Sequence, residues 1–218
     1  MPPTRLTSAD ADSFTTTMRS NLLTLQSNLS HLGYAFANPL GPVQLADEAS
    51  LNILDRIERE KGKLPILYRR WYEMFHSVDF SQDKSQLHAT SEHKLAGLGL
   101  NCPLIFLSLD TCIKLQAELS AYGYYKIQVN GMEFIPTGDY ASNCEPKGVW
   151  IPSDEFDPVL YDAGGGPVSF SQSLRTAIDA GGFPFWQQAY TRRTISSPLQ
   201  FNPAYKEIQN DLLRNIVL

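Results

Sequence analysis

The stretch Lys61-Gly62-Lys63-Leu64-Pro65 constrains this chain more than any other. Before it, Ile53, Leu54 and Ile57 recur as one apolar helical face over about 47–61, with Arg56, Glu58, Arg59 and Glu60 on the solvated side. Asp47 and Glu48 suit the positive N-terminal end of that helix. Gly62 stops it and Pro65 starts another, because a proline's missing N–H has no partner to lose in a first helical turn. The second helix, about 65–76, places Leu67, Trp71 and Phe75 at i, i+4 and i+8. Two helices joined by so short a turn must fold back sharply on each other.

The rest of the chain arranges itself around that hairpin. Leu22, Leu25, Leu29 and Leu32 form one face of a helix over about 18–32, closed by Gly33. Val78–Phe80 is a short strand, and 81–97 is polar and aperiodic, hence a loop. Pro103–Ser108 has the character of a buried strand, and Asp110 caps a helix over about 111–122 that Gly123 ends. Alternating runs on either side of Asn130-Gly131 predict a hairpin with a two-residue turn, since both central residues accept positive φ. Further strands are expected at 148–152, 158–162 and 168–170, with Gly164-Gly165-Gly166 turning between the last two. Ser169 caps a helix carrying Phe170, Leu174 and Ile178 on one face, stopped by Gly181-Gly182. A last helix over about 203–217 carries Ile208, Leu212 and Ile216. Helices, then hairpins, then helices is an α+β order: a mostly antiparallel central sheet with helices packed on one side.

A chain of 218 residues, 43% hydrophobic and 19% charged, fits a single domain spanning 1–218. That length buries enough surface to need no metal or disulfide staple. The net charge of −5 argues against a nucleic-acid partner, which would call for a basic excess. Trp71, Tyr72, Phe75, Tyr124, Tyr125, Phe183, Phe185 and Trp186 therefore read as core rather than base-stacking residues. The apolar runs are too short to span a membrane, and the first residues, with Asp10 and Asp12, lack the apolar stretch of a secretory signal. Cys102, Cys112 and Cys144 are odd in number and lack metal-site spacing, as expected of reduced thiols in a cytoplasmic protein.

Catalytic signatures are sparse. Gly164-Gly165-Gly166-Pro167 lacks the lysine and hydroxyl residue of a phosphate loop, and Pro167 removes a backbone donor. His88 and His93, with Glu92 between them, have a spacing zinc sites use, which leaves a metal-dependent hydrolase as an alternative; without helical periodicity or an HExxH order they read as surface histidines. His31 and His76 read as residues of helix ends. No nucleophile elbow and no catalytic-thiol context occur. No cofactor or metal is expected. The charge distribution is more pointed. Pro136–Gly166 holds six acidic residues, Asp139, Glu145, Asp154, Glu155, Asp157 and Asp162, against Lys147 alone, while the remaining 17 acidic and 17 basic residues cancel. The segment reads either as a solvated edge or as an acidic binding face for a basic protein partner.

The run Glu58-Arg59-Glu60-Lys61-Gly62-Lys63-Leu64-Pro65-Ile66-Leu67-Tyr68-Arg69-Arg70-Trp71-Tyr72-Glu73 resembles the N-terminal signature of the SUKH superfamily, which includes yeast cell-wall-assembly regulators and many bacterial immunity proteins. That pattern is a glutamate-bearing helix, a glycine, Leu-Pro, then a helix with aromatic residues. The resemblance continues at Gly148–Asp162, at Phe170-Ser171-Gln172-Ser173-Leu174-Arg175 and at Gly181-Gly182-Phe183-Pro184-Phe185-Trp186. It covers a core of about 46–186, with a helical extension over 1–45 and a C-terminal extension over 187–218. The resemblance implies an α+β fold with a central sheet and no enzymatic activity, and bacterial members neutralise toxins by binding. With the reduced cysteines and the acidic segment, the expectation is a cytosolic protein-binding domain, foremost an immunity-type protein that neutralises a basic toxin domain. A regulatory or scaffold protein of the same fold is the alternative. Leu64, Pro65, Trp71 and Gly182 would be the fold-determining residues.

Overall fold

The computed structural model describes residues 7–83, 103–121, 133–136, 148–160, 168–183, 186–187, 196–197 and 203–217. The first helix, α1, spans Ser8–His31 and begins ten residues earlier than the leucine period requires. The reason is a capping box: Thr7 accepts from the Asp10 amide, and the Asp10 carboxylate accepts from the Thr7 backbone N–H at 2.7 Å. Its far end closes with Gly33 N–H on Ser30 O and Tyr34 N–H on Leu29 O.

Strand β1 (Val43–Leu45) leads to α2 (Glu48–Lys61) and α3 (Ile66–Met74), the expected helical hairpin. The second of these is shorter than its apolar period, because Phe75 and His76 leave the helix and open β2 (Phe75–Asp79). Strand β3 (Ile105–Phe106) and helix α4 (Leu109–Ala121) follow, the helix starting one residue before Asp110. Then come β4 (Glu133–Pro136), β5 (Gly148–Ile151), β6 (Val159–Leu160), β7 (Val168–Ser169), α5 (Phe170–Asp179), β8 (Trp186–Gln187), β9 (Ser196–Ser197) and α6 (Pro203–Leu212). Residues 122–132, with most of the predicted Asn130-Gly131 hairpin, lie outside the described residues, as does the Gly164–Gly166 turn.

The fold mixes helices with small antiparallel sheets. Strands β1, β2 and β3 form a three-stranded sheet in that order; β4–β5, β6–β7 and β8–β9 pair two by two. Every pairing is antiparallel. Among the described residues the strands do not join into one continuous central sheet.

The core centres on α3. Trp71, Tyr68 and Tyr72 are buried on it. The Trp71 ring lies 4.4 Å from Phe75, 4.9 Å from Phe106 and 5.7 Å from Phe170, so one residue joins α3, the three-stranded sheet and α5. Helix α1 adds Ala11, Met18, Leu22, Leu25 and Leu29 to the same buried cluster, and α6 adds Ile208 and Leu212. The segments on either side of 46–186 therefore contribute to this core. They also hold each other. The Asn21 amide donates to Val217 O at 2.6 Å and accepts from Val217 N–H at 3.0 Å, while Asn28 donates to Leu212 O at 2.8 Å.

Candidate functional site

The junction between α2 and α3 is built by residues that the Glu58–Glu73 run carries. Glu58 accepts from the Leu64 N–H at 3.1 Å and from Arg69 Nη1 at 2.5 Å, so one carboxylate ties the turn to the following helix. Gly62 has φ +97°, and a Cβ there would meet Pro152 Cβ at 2.6 Å; both backbone and space require glycine. Pro65 sits at the N-cap of α3 with no side-chain cap. The missing acceptors come from the loop after β5: Glu155 O and Phe156 O accept from Ile66 N–H and Leu67 N–H, both at 2.9 Å. Ser153 N–H adds a bond to Lys63 O at 2.8 Å. Loop 152–158 is thus the cap of α3.

The other end of that loop holds α5. Asp157 accepts from Ser171 N–H at 2.9 Å and from Ser171 Oγ–H at 2.6 Å, and Pro158 O accepts from Phe170 N–H at 2.8 Å. A carboxylate at a helix N-terminus also meets the positive end of the helix dipole. Fastened at both ends, the loop carries Asp154 and Glu155 exposed between its anchors.

The six acidic residues singled out by charge therefore separate. Asp154 and Glu155 lie side by side on the solvent face of this loop. Asp157 is half-buried, its carboxylate engaged with α5. Asp139, Glu145 and Asp162 lie outside the described residues, as do His88 and His93. Among the described residues no group of three or more His, Cys, Asp or Glu side chains is placed to hold a metal ion. Cys112 is buried, 3.8 Å from the Tyr72 hydroxyl, and burial pushes its thiol pKa up to about 12, which keeps it protonated.

A second charged cluster, absent from the sequence-based expectations, crosses the outer faces of α1, α2 and α3. Arg69 meets Asp55 at 3.2 Å, Glu58 at 2.5 Å and Glu73 at 2.9 Å; Arg70 meets Asp12 at 3.0 Å and shares Glu73. Four carboxylates thus surround two guanidinium groups. Burial works against the Arg69 charge, but the Asp55 hydrogen bond and the Glu58, Glu73 and Asp55 charges outweigh it and raise its pKa. Only the Arg69–Glu73 and Arg70–Glu73 spacings are visible along one helix. The links to Asp12, Asp55 and Glu58 exist only because the helices fold back on each other. His76 was expected at a helix end; it lies instead in β2, where its Nδ1 is 2.8 Å from Ser50 Oγ.

Comparison with family models, with curated proteins and with solved structures finds no match. Among the described residues no helix is long and apolar enough to cross a membrane.

Proposed function

We propose that this chain is a non-catalytic, cytosolic protein-binding domain of the SUKH type, an immunity protein that neutralises a basic toxin domain by masking it. The observation that carries this reading is the loop 152–158. It is anchored on α3 through Glu155 O and Phe156 O and on α5 through Asp157, while Asp154 and Glu155 point their charge to solvent. A loop held in one conformation before binding loses less entropy when a partner docks. Paired exposed carboxylates favour a basic partner and speed its approach, in a salt-dependent way. The residues of the resemblance that lie at the helix junction fit this reading: Glu58 holds the Leu64 N–H, Gly62 packs against Pro152 of the loop, and Pro65 opens α3.

The test is a quantitative pull-down from native lysate with the wild-type chain and the double variant Asp154→Lys/Glu155→Lys in parallel. A basic partner should be retained by the wild type at low salt, released as salt rises, and lost with the variant. Retention of the same partners by both chains, with the same salt dependence, would remove the acidic-loop mechanism.

A further inference from the structure

A separate side-chain cluster lies at the N-terminus of α2. Asp47 is its N-cap, Ser50 is the third helical residue, and His76 reaches Ser50 from β2. The strand is irregular at that point. Gln44 of β1 lies opposite Ser77 and the next residue, Leu45, lies opposite Phe75, so no residue of β1 opposes His76. His76 is the extra residue of a β-bulge, a feature that re-aims a side chain. Here the bulge turns the imidazole onto the start of α2, beside the Ala46 N–H bond to Met74 O at 3.0 Å.

The proton count orders this cluster. Asp47 Oδ1 accepts from Ser50 N–H at 2.8 Å and lies 2.7 Å from Ser50 Oγ, which in turn lies 2.8 Å from His76 Nδ1. Two oxygens 2.7 Å apart need a proton between them. The Asp47 carboxyl has none to give: its hydrogen bonds from Ser50 and the charge of His76 hold its pKa below the ordinary value. The Ser50 hydroxyl has a single proton, and it must lie on the bond to Asp47. His76 Nδ1 then has to be the donor to Ser50 Oγ.

We propose that Asp47, Ser50 and His76 form a proton-ordered latch that pins the N-terminus of α2 to the bulge of β2, with His76 held in its Nδ1–H form and Nε2 left as the open nitrogen. This order is the reverse of a hydrolytic dyad, in which the serine gives its proton to the imidazole. Ser50 is accordingly a relay and not a nucleophile. Nδ1 carries a proton in both the Nδ1–H neutral tautomer and the imidazolium, so either form can donate to Ser50 Oγ. Other charged groups along these elements include Glu48 at the start of α2, the Asp55, Glu58, Arg69, Arg70 and Glu73 cluster across α2 and α3, and Asp79 of β2, which accepts from Ser81 N–H at 2.8 Å.

The test is nitrogen-15 NMR of the imidazoles in the full chain, above the pH at which they titrate. The His76 proton should reside on Nδ1. In Ser50→Ala it should move predominantly to Nε2, the form that free imidazole side chains prefer, and amide protection in the first turn of α2 should fall about five- to tenfold. A wild-type His76 in the Nε2–H form would overturn the proposal, as would an Nδ1–H form that survives in Ser50→Ala. The wild-type tautomer decides the matter even if the variant does not fold.

Discussion

Gly182 has φ +86°, and a Cβ there would stand 3.2 Å from Phe80 Cδ1 and 3.3 Å from Leu25 Cδ2. Its carbonyl accepts from Leu104 N–H at 2.7 Å, so the backbone cannot move away without breaking the join between α5 and the segment before β3. Gly182→Ala combines backbone strain with tight contacts and should destabilise the protein by about 1–3 kcal/mol in denaturant titration. Trp71 makes the larger demand. It is fully buried among Phe75, Phe106 and Phe170, and Trp71→Ala should cost about 3–5 kcal/mol, a large share of a stability of about 5–15 kcal/mol. Trp71 was recognisable as core from its spacing with Leu67 and Phe75 alone. The sequence marked Gly182 as a helix stop and, through the resemblance, as fold-determining, without the reason. Its closeness to Phe80 and Leu25, residues of two distant segments, carries no local pattern.

At the level of elements, helix starts separate into those capped by their own sequence and those capped from elsewhere. Thr7, Asp47 and Ser169 cap α1, α2 and α5 within four residues; Ser169 was readable as a cap, and Asp47 as an acidic residue suited to a helix start. The start of α3 depends on Glu155 O and Phe156 O, about ninety residues on, which no local motif announces. Asp157 was grouped by charge with Asp154, yet only the fold distinguishes them. Asp157→Ala leaves the Ser171 N–H and hydroxyl without their acceptor and should cost about 1–2 kcal/mol, whereas Asp154→Ala should stay within about 0.5 kcal/mol of wild type by urea denaturation. A pH dependence follows at the start of α2. The Ser50 hydrogen bonds, with the charge of His76, lower the Asp47 pKa below its ordinary 3.8. A group whose folded pKa is depressed stabilises the fold above the unfolded value, and that contribution disappears as pH falls through the folded one. Acid unfolding of Asp47→Asn, followed by circular dichroism below about pH 4, should therefore show a shallower loss of stability than wild type.

At the scale of the whole molecule, α1 joins the parts that the chain order keeps apart. Its inner face supplies Leu22, Leu25 and Leu29 to the core around α3, and its side carries Asn21, whose amide pairs with the backbone of Val217 across 196 positions. Asn21 is buried, so Asn21→Ala leaves the Val217 N–H and C=O without those partners; a loss of about 1–3 kcal/mol is expected, with faster hydrogen exchange at Val217 as the local check. The sequence by itself determined the kinds and order of most described helices and strands, because helical period, caps, glycine stops and strand alternation act over a few residues. It also located the acidic surplus, since charge is a property of composition. The tertiary structure decided which of those charges are engaged and which face solvent, that Phe75 and His76 belong to a strand, and that α1 and α6 share one core with the residues between them. The physical reason is common to all three. Each depends on contacts between residues far apart in the chain, whose formation rests on burying apolar surface and satisfying backbone donors together, and neither requirement can be evaluated one segment at a time.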